Sequence, residues 1–580
     1  MVERRPDGSI VLRAEEALRP YRARLHDFLF HWAEQAGDRT YLAQRGEDGD
    51  WIHLSYRDAA EQARRIAAAL GERDLGPERP LLILSGNSLQ HALLALGAMI
   101  AGVPYSPVSV AYSTISSDYA KLKHILATLD PAMVYAEDAA QFAAVLQLPE
   151  MRGRELVVGR PSAAVPGTTP FSELLAGGSA ERLRQAEQAV GPDSVMKIMF
   201  TSGSTGVPKG VITTHRMLCA NLQGYHQLWP FMTEEPPVML DWLPWNHVFG
   251  GNSNMGHVLS LGGTLYLDDG RPLPGEFDKS LRNLREVAPT LYWNVPKAFE
   301  LLVAALRRDD ELRRQFFSRL RVMFYAAAVL PEHIWRELDQ LARQTVPRRI
   351  SMTTGWGLTE TAPSVTLLNR HGAEPGELGV PLPGVELKLV PVEDKLEARV
   401  RGPNVTPGYW RMPELTAKAF DEEGFFRTGD ALVFIDPSRP ELGFRFNGRI
   451  TEDFKLRTGT WVNYGECRIR ALKALGTLAT DVVVTAPDRD ELGLLIFPGP
   501  GMAADDPAYV ERVTAALREM NRGEQGSSRR IARAMIMREP ASLDSGEMTD
   551  KGSLNVRAVL ERRRELVERL YQGGDDVIVP

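Results

Sequence analysis

The segment Thr201-Ser202-Gly203-Ser204-Thr205-Gly206-Val207-Pro208-Lys209-Gly210 constrains this chain more than any other. Its hydroxyls and glycines can wrap backbone N–H groups and side-chain oxygens around phosphate oxygens, and its lysine adds a cation. An apolar run, Val195 to Phe200, precedes it and reads as a buried strand; Val211 to Thr214 follows and reads as another. A strand, such a loop and a second strand point to a polyphosphate, with ATP the first candidate. The Walker A pattern needs glycine directly before lysine and Ser or Thr after it. Here Pro208 precedes Lys209 and Gly210 follows, which disfavours an ordinary P-loop ATPase or kinase. A solvated Ser/Gly spacer is the alternative, but a spacer would not carry flanking apolar strands.

A chain of 580 residues has room for more than one domain. Its 44% hydrophobic and 25% charged content is ordinary for a globular protein. The net charge of -7 gives no reason to expect nucleic acid or an anionic membrane surface as a partner. Two cysteines, Cys219 and Cys467, are too few for a disulfide framework, and no metal-ligand cluster surrounds them. The N-terminal Met1 to Pro6 leads into charged sequence without the apolar centre of a signal peptide. No apolar run is long enough to span a membrane. The expectation is a soluble cytoplasmic enzyme.

Strand-like and helix-like runs alternate, which favours an α/β architecture. Leu81 to Leu84 reads as a strand, and Ser88 to Ile100 as a helix stopped by Gly102 and Pro104. Further strands are predicted at Val238 to Leu240, Thr264 to Leu267, Thr290 to Trp293, Val322 to Tyr325 and Ile350 to Met352. Pro296 to Leu306 reads as a helix with proline in its first turn. The C-terminal part differs in texture. Val482 to Thr485 and Leu492 to Phe497 form a paired-strand pattern across the turn Pro487 to Asp490. Tyr509 to Met520 reads as a helix, Ala534 to Met537 as a strand, and Leu554 to Leu570 as one amphipathic helix with Leu560 and Leu566 on its apolar side. We therefore expect a large N-terminal domain over 1–448, with mixed sheets flanked by helices, and a small mobile α+β domain over 449–580.

Five other segments bear on the phosphate loop. Thr354-Gly355-Trp356-Gly357-Leu358-Thr359-Glu360 follows a strand, where ligands collect in α/β sheets. Its glycines permit close approach of a ring, Trp356 offers a stacking face and Glu360 a hard oxygen for Mg²⁺. Asp430, after the turn Phe426 to Gly429, is suited to accept from two ribose hydroxyls. Arg449 is a permanent cation for phosphate or ribose oxygens. Trp242 to Gly251 is dense in aromatics and holds His247, and Glu547 to Gly552 puts Lys551 in a turn. Taken singly, each has a plainer reading. Glu360 could be a solvated loop carboxylate, Asp430 a turn residue, His247 a structural histidine and Lys551 a surface lysine.

In this order and spacing the segments resemble the adenylate-forming superfamily of acyl-CoA synthetases, nonribosomal adenylation domains and beetle luciferases, from about residue 25 to 562. A narrower resemblance, to bacterial feruloyl-CoA synthetases, rests on four sets of residues. They are Ala111-Tyr-Ser113 with Ala120-Lys-Leu-Lys-His124, Trp242 to His247 with Phe249 to Asn252, Gly448 to Lys455 with Gly459-Thr-Trp461, and Thr549 to Gly552.

The resemblance implies a two-step reaction. A carboxylate attacks the α-phosphorus of MgATP to give an acyl-adenylate and pyrophosphate, and a thiol, usually that of coenzyme A, then releases AMP. Thr201 to Gly206 and Lys209 would hold the β- and γ-phosphates, and Glu360 the Mg²⁺. Gly355, Trp356, Gly357 and Thr359 would line the adenine and α-phosphate region, with Asp430 and Arg449 on the ribose. Lys551 would bridge the carboxylate and the α-phosphate. The small domain would alternate between two orientations about a hinge at Thr451, where many relatives carry Asp or Lys. In the second, Lys455, Gly459 and Trp461 would line the pantetheine path and His247 would gate it.

The acyl pocket would lie between His247 with Phe249, the strand end Ala326-Ala327-Ala328, and the loop after Glu360. Relatives usually carry a glycine within the alanine stretch. Trp242, Trp245 and Phe249 suit a planar ring better than an alkyl chain, unless they are core packing. A hydroxycinnamate such as ferulate is thus the leading substrate. The alternatives are a medium- or long-chain fatty acid, transfer to a carrier-protein thiol, and a nucleotide-binding regulator without catalysis. A homodimer stays open.

Overall fold

The computed structural model describes residues 1–580 except Asp74, 203–206, Pro274, Thr451, Pro487, Asp488, Gln525, Asp550, Lys551 and the side chain of Ser202. The expectations for Gly203, Ser204, Thr205, Gly206, Thr451 and Lys551 therefore lie outside the described residues.

Four sheets carry the first 449 residues. One has seven strands in the order Pro208–Thr214, Val195–Ser202, Tyr105–Pro107, Leu81–Leu84, Met133–Asp138, Glu155–Arg160 and Thr169–Pro170. All its neighbours are parallel except the first pair, which is antiparallel with Thr201 opposite Lys209. A five-stranded sheet runs Leu291–Asn294, Val322–Tyr325, Ser351–Gly357, Ser364–Leu367 and Val380–Pro381, its first three strands parallel. A four-stranded sheet joins Val238–Asp241 and Thr264–Leu267 to Thr40–Arg45 and Trp51–Ser55. A six-stranded antiparallel sheet ends in Phe426–Phe434 and Phe444–Arg449. After Arg449 the chain forms a two-stranded ribbon, Phe454–Lys455 with Trp461–Val462. A four-stranded sheet follows, with Ala479–Thr485, Leu492–Pro498, Ile531–Ile536 and Val577–Ile578 over its own core.

Local chemistry explains the element boundaries. The Leu81–Leu84 strand is buried on both faces, as its unbroken apolar run requires. The helix Leu89–Ala101 begins where Ser88 accepts from the His91 N–H, and ends at Gly102 with φ 68°, a left-handed cap that glycine adopts without strain. Pro296 opens the helix Pro296–Leu306. The last expected helix is in fact two, Val556–Arg562 and Arg564–Gln572. Arg563 breaks it. Its buried guanidinium is drawn onto the Glu547 carboxylate at 2.7 Å and onto the carbonyls of Glu539 and Pro540.

Parallel strands place their carboxyl ends on one edge of a sheet. In the five-stranded sheet this aligns Ala326 to Ala328 with the turn Thr359–Thr361, which holds Glu360.

Candidate active site

The antiparallel pair at the edge of the seven-stranded sheet points Lys209 at Glu360. Lys209 Nζ donates to the Tyr409 hydroxyl at 2.7 Å, and Tyr409 in turn donates to Glu360 Oε1 at 2.9 Å. Lys209 Nζ also lies 3.4 Å from Glu360 Oε1 and over the Tyr409 ring at 4.3 Å. Tyr409 is fixed by main chain: Trp410 N donates to Gly210 O at 2.8 Å, and Ile212 N to Gly408 O at 3.1 Å. Burial, reinforced by the Glu360 charge, pushes the Tyr409 phenol up, so it stays a donor. Thr201 Oγ1 is buried without a hydrogen-bond partner among the described residues.

Beside this chain, Trp356 Nε1 donates to Asp430 Oδ2 at 3.0 Å. Asp430 and Arg449 face each other across two antiparallel strands, with Arg449 Nε 3.3 Å from Asp430 Oδ1. That approach lacks hydrogen-bond geometry, and Asp430 Oδ1 accepts no hydrogen bond among the described residues though buried. Burial raises the Asp430 carboxyl, against the pull of Arg449 and the Trp356 N–H. The expectation of Trp356 as an open stacking face needs correction. Its indole is 7% exposed and packs in the main core, so it orients Asp430 instead. The flanking glycines are tight: a Cβ at Gly357 would meet Pro363 O at 1.9 Å, and one at Gly355 would meet Thr366 O at 2.5 Å. Thr359 opens the short turn that carries Glu360.

His247 precedes the π-helical turn Phe249–Asn254. Its Nε2 lies 3.4 Å from Asn246 Nδ2, and its carbonyl accepts from Gly251 N at 2.8 Å. The turn closes so tightly that a Cβ at Gly251 would meet Trp245 O at 2.1 Å. Beneath it, the buried Lys197 donates to Gly251 O at 2.8 Å and Asn252 Oδ1 at 2.7 Å. Burial pulls its amine down to about 7.

Phe249 is half-buried, edge-on to Phe324 at 5.7 Å. Phe324 lies in the strand that leads to Ala326, Ala327 and Ala328. Ala326 is half-buried, Ala327 and Ala328 are exposed, and Ala327 takes φ 74°, a left-handed conformation unusual for alanine. Of the expected aromatic lining, Trp245 is core. It is 4% exposed and stacks edge-on against the buried His91 at 5.0 Å. Trp242 is half-buried and donates to Asn294 Oδ1 at 3.1 Å.

Lys455, Gly459 and Trp461 sit on the two-stranded ribbon. Lys455 is opposite Trp461, with its Nζ 4.6 Å above that ring and 3.1 Å from Glu393 Oε2. Gly459 takes φ 83° at the exposed ribbon turn. Just before the ribbon, Asp453 forms a buried ion pair with Lys395, whose Nζ also reaches Asn447 O at 2.7 Å.

Lys209, Tyr409 and Glu360 thus form one polar chain, and Trp356, Asp430 and Arg449 a second. Sequence reading missed two of the residues described here. Tyr409 stands in an unremarkable Pro407-Gly-Tyr-Trp410, with only the glycine to hint at a close main-chain approach. Lys197 could have been noticed as one charge inside a strand apolar on both sides.

Residues 29–410 match the family model of the AMP-binding enzyme, and 469–575 that of the AMP-binding enzyme C-terminal domain. A (methyl-dioxo-octahydroindenyl)propanoyl:CoA ligase of Rhodococcus jostii (strain RHA1) is 26% identical over 500 residues, 82% of this chain and 89% of that one. A 4-coumarate-CoA ligase of Narcissus pseudonarcissus is 25% identical over 429 residues, 71% of this chain and 73% of that one. ATP-bound MatB from Rhodopseudomonas palustris shares the fold with a TM-score of 0.70 at 22% identity, over 94% of this chain and 99% of that one. The adenylation domain of a carboxylate reductase from Mycobacterium chelonae does so at 0.71 and 22%, over 95% and 91%. With the first family model spanning most of its length, the chain belongs to the AMP-binding enzyme family, in the company of acid–CoA ligases.

Proposed function

We propose that this protein is an ATP-dependent acid–CoA ligase that adenylates an aryl acid, ferulate or another hydroxycinnamate, and passes the acyl group to coenzyme A. The observation that carries the reading is the chain from Lys209 through Tyr409 to Glu360, which sets a cation and a carboxylate side by side at the phosphate loop. The similarity to 4-coumarate-CoA ligases supports the aryl acid.

In the first step a carboxylate oxygen attacks the α-phosphorus. The bond to the bridging oxygen of the β-phosphate breaks, and pyrophosphate leaves. The loop 201–206 and Lys209 bind the β- and γ-phosphates as their charge grows. The residues present suit Mg²⁺. Glu360 supplies a hard carboxylate oxygen, and among the described residues no cluster of three ligating side chains competes for the ion. Mg²⁺ held by one carboxylate and substrate phosphates is its usual mode, and the ion would neutralise phosphate charge there. Asp430 accepts from the ribose hydroxyls through Oδ1, which takes no hydrogen bond from the described residues, with Arg449 beside it. Gly355, Gly357 and Thr359 line the adenine and α-phosphate side. Lys551 neutralises the two anions that meet.

In the second step the thiol sulfur attacks the acyl carbonyl, the bond to the AMP oxygen breaks and the thiol proton is lost. Lys455, Gly459 and Trp461 line the CoA path, His247 gates it, and Phe249 with Ala326, Ala327 and Ala328 bounds the acyl group. The division near Arg449, with a hinge at Thr451, gives the small domain its freedom to move.

The test is pyrophosphate release over aryl acids, alkyl acids and malonate, with and without CoA. Release that depends on an aryl acid, with turnover that needs CoA, is the expected result. Release with alkyl acids or malonate alone sinks the aryl assignment, and release without any use of CoA sinks the ligase.

A further inference from the structure

The segment just before Lys551 is docked on the large domain. Asp544 Oδ1 accepts from Ser116 Oγ at 2.6 Å, and its Oδ2 accepts from Ser117 N at 2.9 Å and Ser117 Oγ at 2.6 Å. These bonds, that of Ser116 foremost, hold the Asp544 carboxyl below its usual range. Next to it Leu543 is 6% exposed and belongs to a hydrophobic cluster of the large domain that includes Tyr112, Leu122 and Ile198. Lys121 Nζ donates to Met548 O at 3.4 Å.

The same helix, Ala120–Leu129, reaches the phosphate loop. His124 Nε2 donates to Pro208 O at 2.9 Å, one residue from Lys209. On the other side, Leu543 leads into a compact loop. Gly546 N donates to Leu543 O at 3.1 Å, Met548 N to Ser542 O at 3.1 Å, and Glu547 is held by the buried Arg563. On either side of the undescribed 550–551, Thr549 N donates to Ser553 O at 2.8 Å and Gly552 N to Thr549 O at 3.0 Å. Contacts of the helix Ala120–Leu129 therefore join Pro208, one residue before Lys209, to Met548, three before Lys551.

We propose that Asp544 and Leu543 are positioning residues for adenylation: by docking on Ser116, Ser117 and the Tyr112–Leu122 cluster they hold the segment that leads to Lys551 against the large domain. The proposal rests on the ligase reading above. Leu543 is a knob removed from water, and Asp544 fixes its orientation with charge-assisted hydrogen bonds. When the docked arrangement is needed for one half-reaction, losing it slows that half-reaction by the fall in docked population.

The experiment compares Asp544→Ala, the Ser116→Ala/Ser117→Ala pair and their combination, in the full chain. Pyrophosphate release should fall about tenfold or more in each, the scale of losing hydrogen bonds to a charged group. The combination should fall no further than either parent. Thioester formation from a supplied acyl-adenylate and CoA should stay within about twofold, a split that a merely structural role would not produce. Equal loss in both half-reactions, or undiminished pyrophosphate release by folded variants, overturns the proposal. Thermal unfolding of the same set gives a readout independent of activity, because docked partners make the Tm losses non-additive. Non-additive Tm losses together with a wild type that releases no pyrophosphate from any acid would leave the docking standing and defeat the ligase reading. Additive Tm losses would defeat the docking itself.

Discussion

Lys209 Nζ lies 3.4 Å from Glu360 Oε1, and the Tyr409 hydroxyl bridges the two with one hydrogen bond on each side. The lysine lies on the strand Pro208–Thr214 and the carboxylate on the turn Thr359–Thr361, and Tyr409 ties the two together. Tyr409→Phe keeps the ring under the lysine but removes the bridge. Pyrophosphate release should fall by about tenfold, the scale of one hydrogen bond to a charged group, and need more Mg²⁺ for half-maximal rate. A Mg²⁺ titration of wild type and variant checks this.

Lys551→Ala should abolish pyrophosphate release yet largely spare thioester formation from a supplied acyl-adenylate. Two single-turnover assays separate the outcomes, and equal loss in both would refute the role given to Lys551.

Asp430 is buried, and burial raises its carboxyl above the ordinary 3.8. A raised carboxyl contributes stability that is full below the unfolded value and is lost as pH rises through the folded one. At neutral pH the ionised group is therefore a burden on the fold. Asp430→Asn should raise the Tm at pH 7 and flatten its dependence on acid pH, while the KM for ATP rises about tenfold with the loss of a charged acceptor. Thermal melts at several pH values, set beside ATP kinetics, test both halves.

For Lys197 the sign is opposite. Burial lowers its amine from 10.5 to about 7. Between those values the unfolded chain carries a proton that the folded chain does not, so stability rises with pH across the window and levels off below about 7. Lys197→Met should remove that slope. It should also loosen the turn that carries His247, since Gly251 O and Asn252 Oδ1 lose their donor. Urea unfolding from pH 6 to 10 reads the first effect.

Ala327 holds φ 74° at the end of its strand. A left-handed alanine costs roughly 1–2 kcal/mol, part of which glycine recovers after its larger unfolded-state entropy is subtracted. Ala327→Gly should therefore stabilise the protein by about 0.5–1 kcal/mol in urea unfolding, with an unchanged m-value.

Much of the scaffold was legible along the chain. The strands Leu81–Leu84 and Val322–Tyr325 and the helix Pro296–Leu306 lie where apolar runs and their Gly or Pro boundaries put them. Such elements are bounded by residues next to them in sequence. The division of the last helix at Arg563 was not legible, and neither was that residue's partner, Glu547, 16 residues upstream. Trp245 and Trp356 look alike in sequence to a ring that lines a pocket. Only packing against His91 and the hydrogen bond to Asp430 assign them to the core.

The sequence by itself determined the loop chemistry from Thr201 to Lys209, the strand pair around it and the carboxylates and cations that accompany it, because local chemistry and hydrophobic period are written in neighbouring residues. Tertiary structure alone decided that Lys209 meets Glu360 through Tyr409, and that Asp430 turns one oxygen to Trp356 and leaves the other beside Arg449 without a hydrogen bond. It also decided that Asp544 seats on Ser116 and Ser117. These contacts join residues from 49 to 428 positions apart. Their geometry follows from how sheets and domains pack, and no local pattern encodes it.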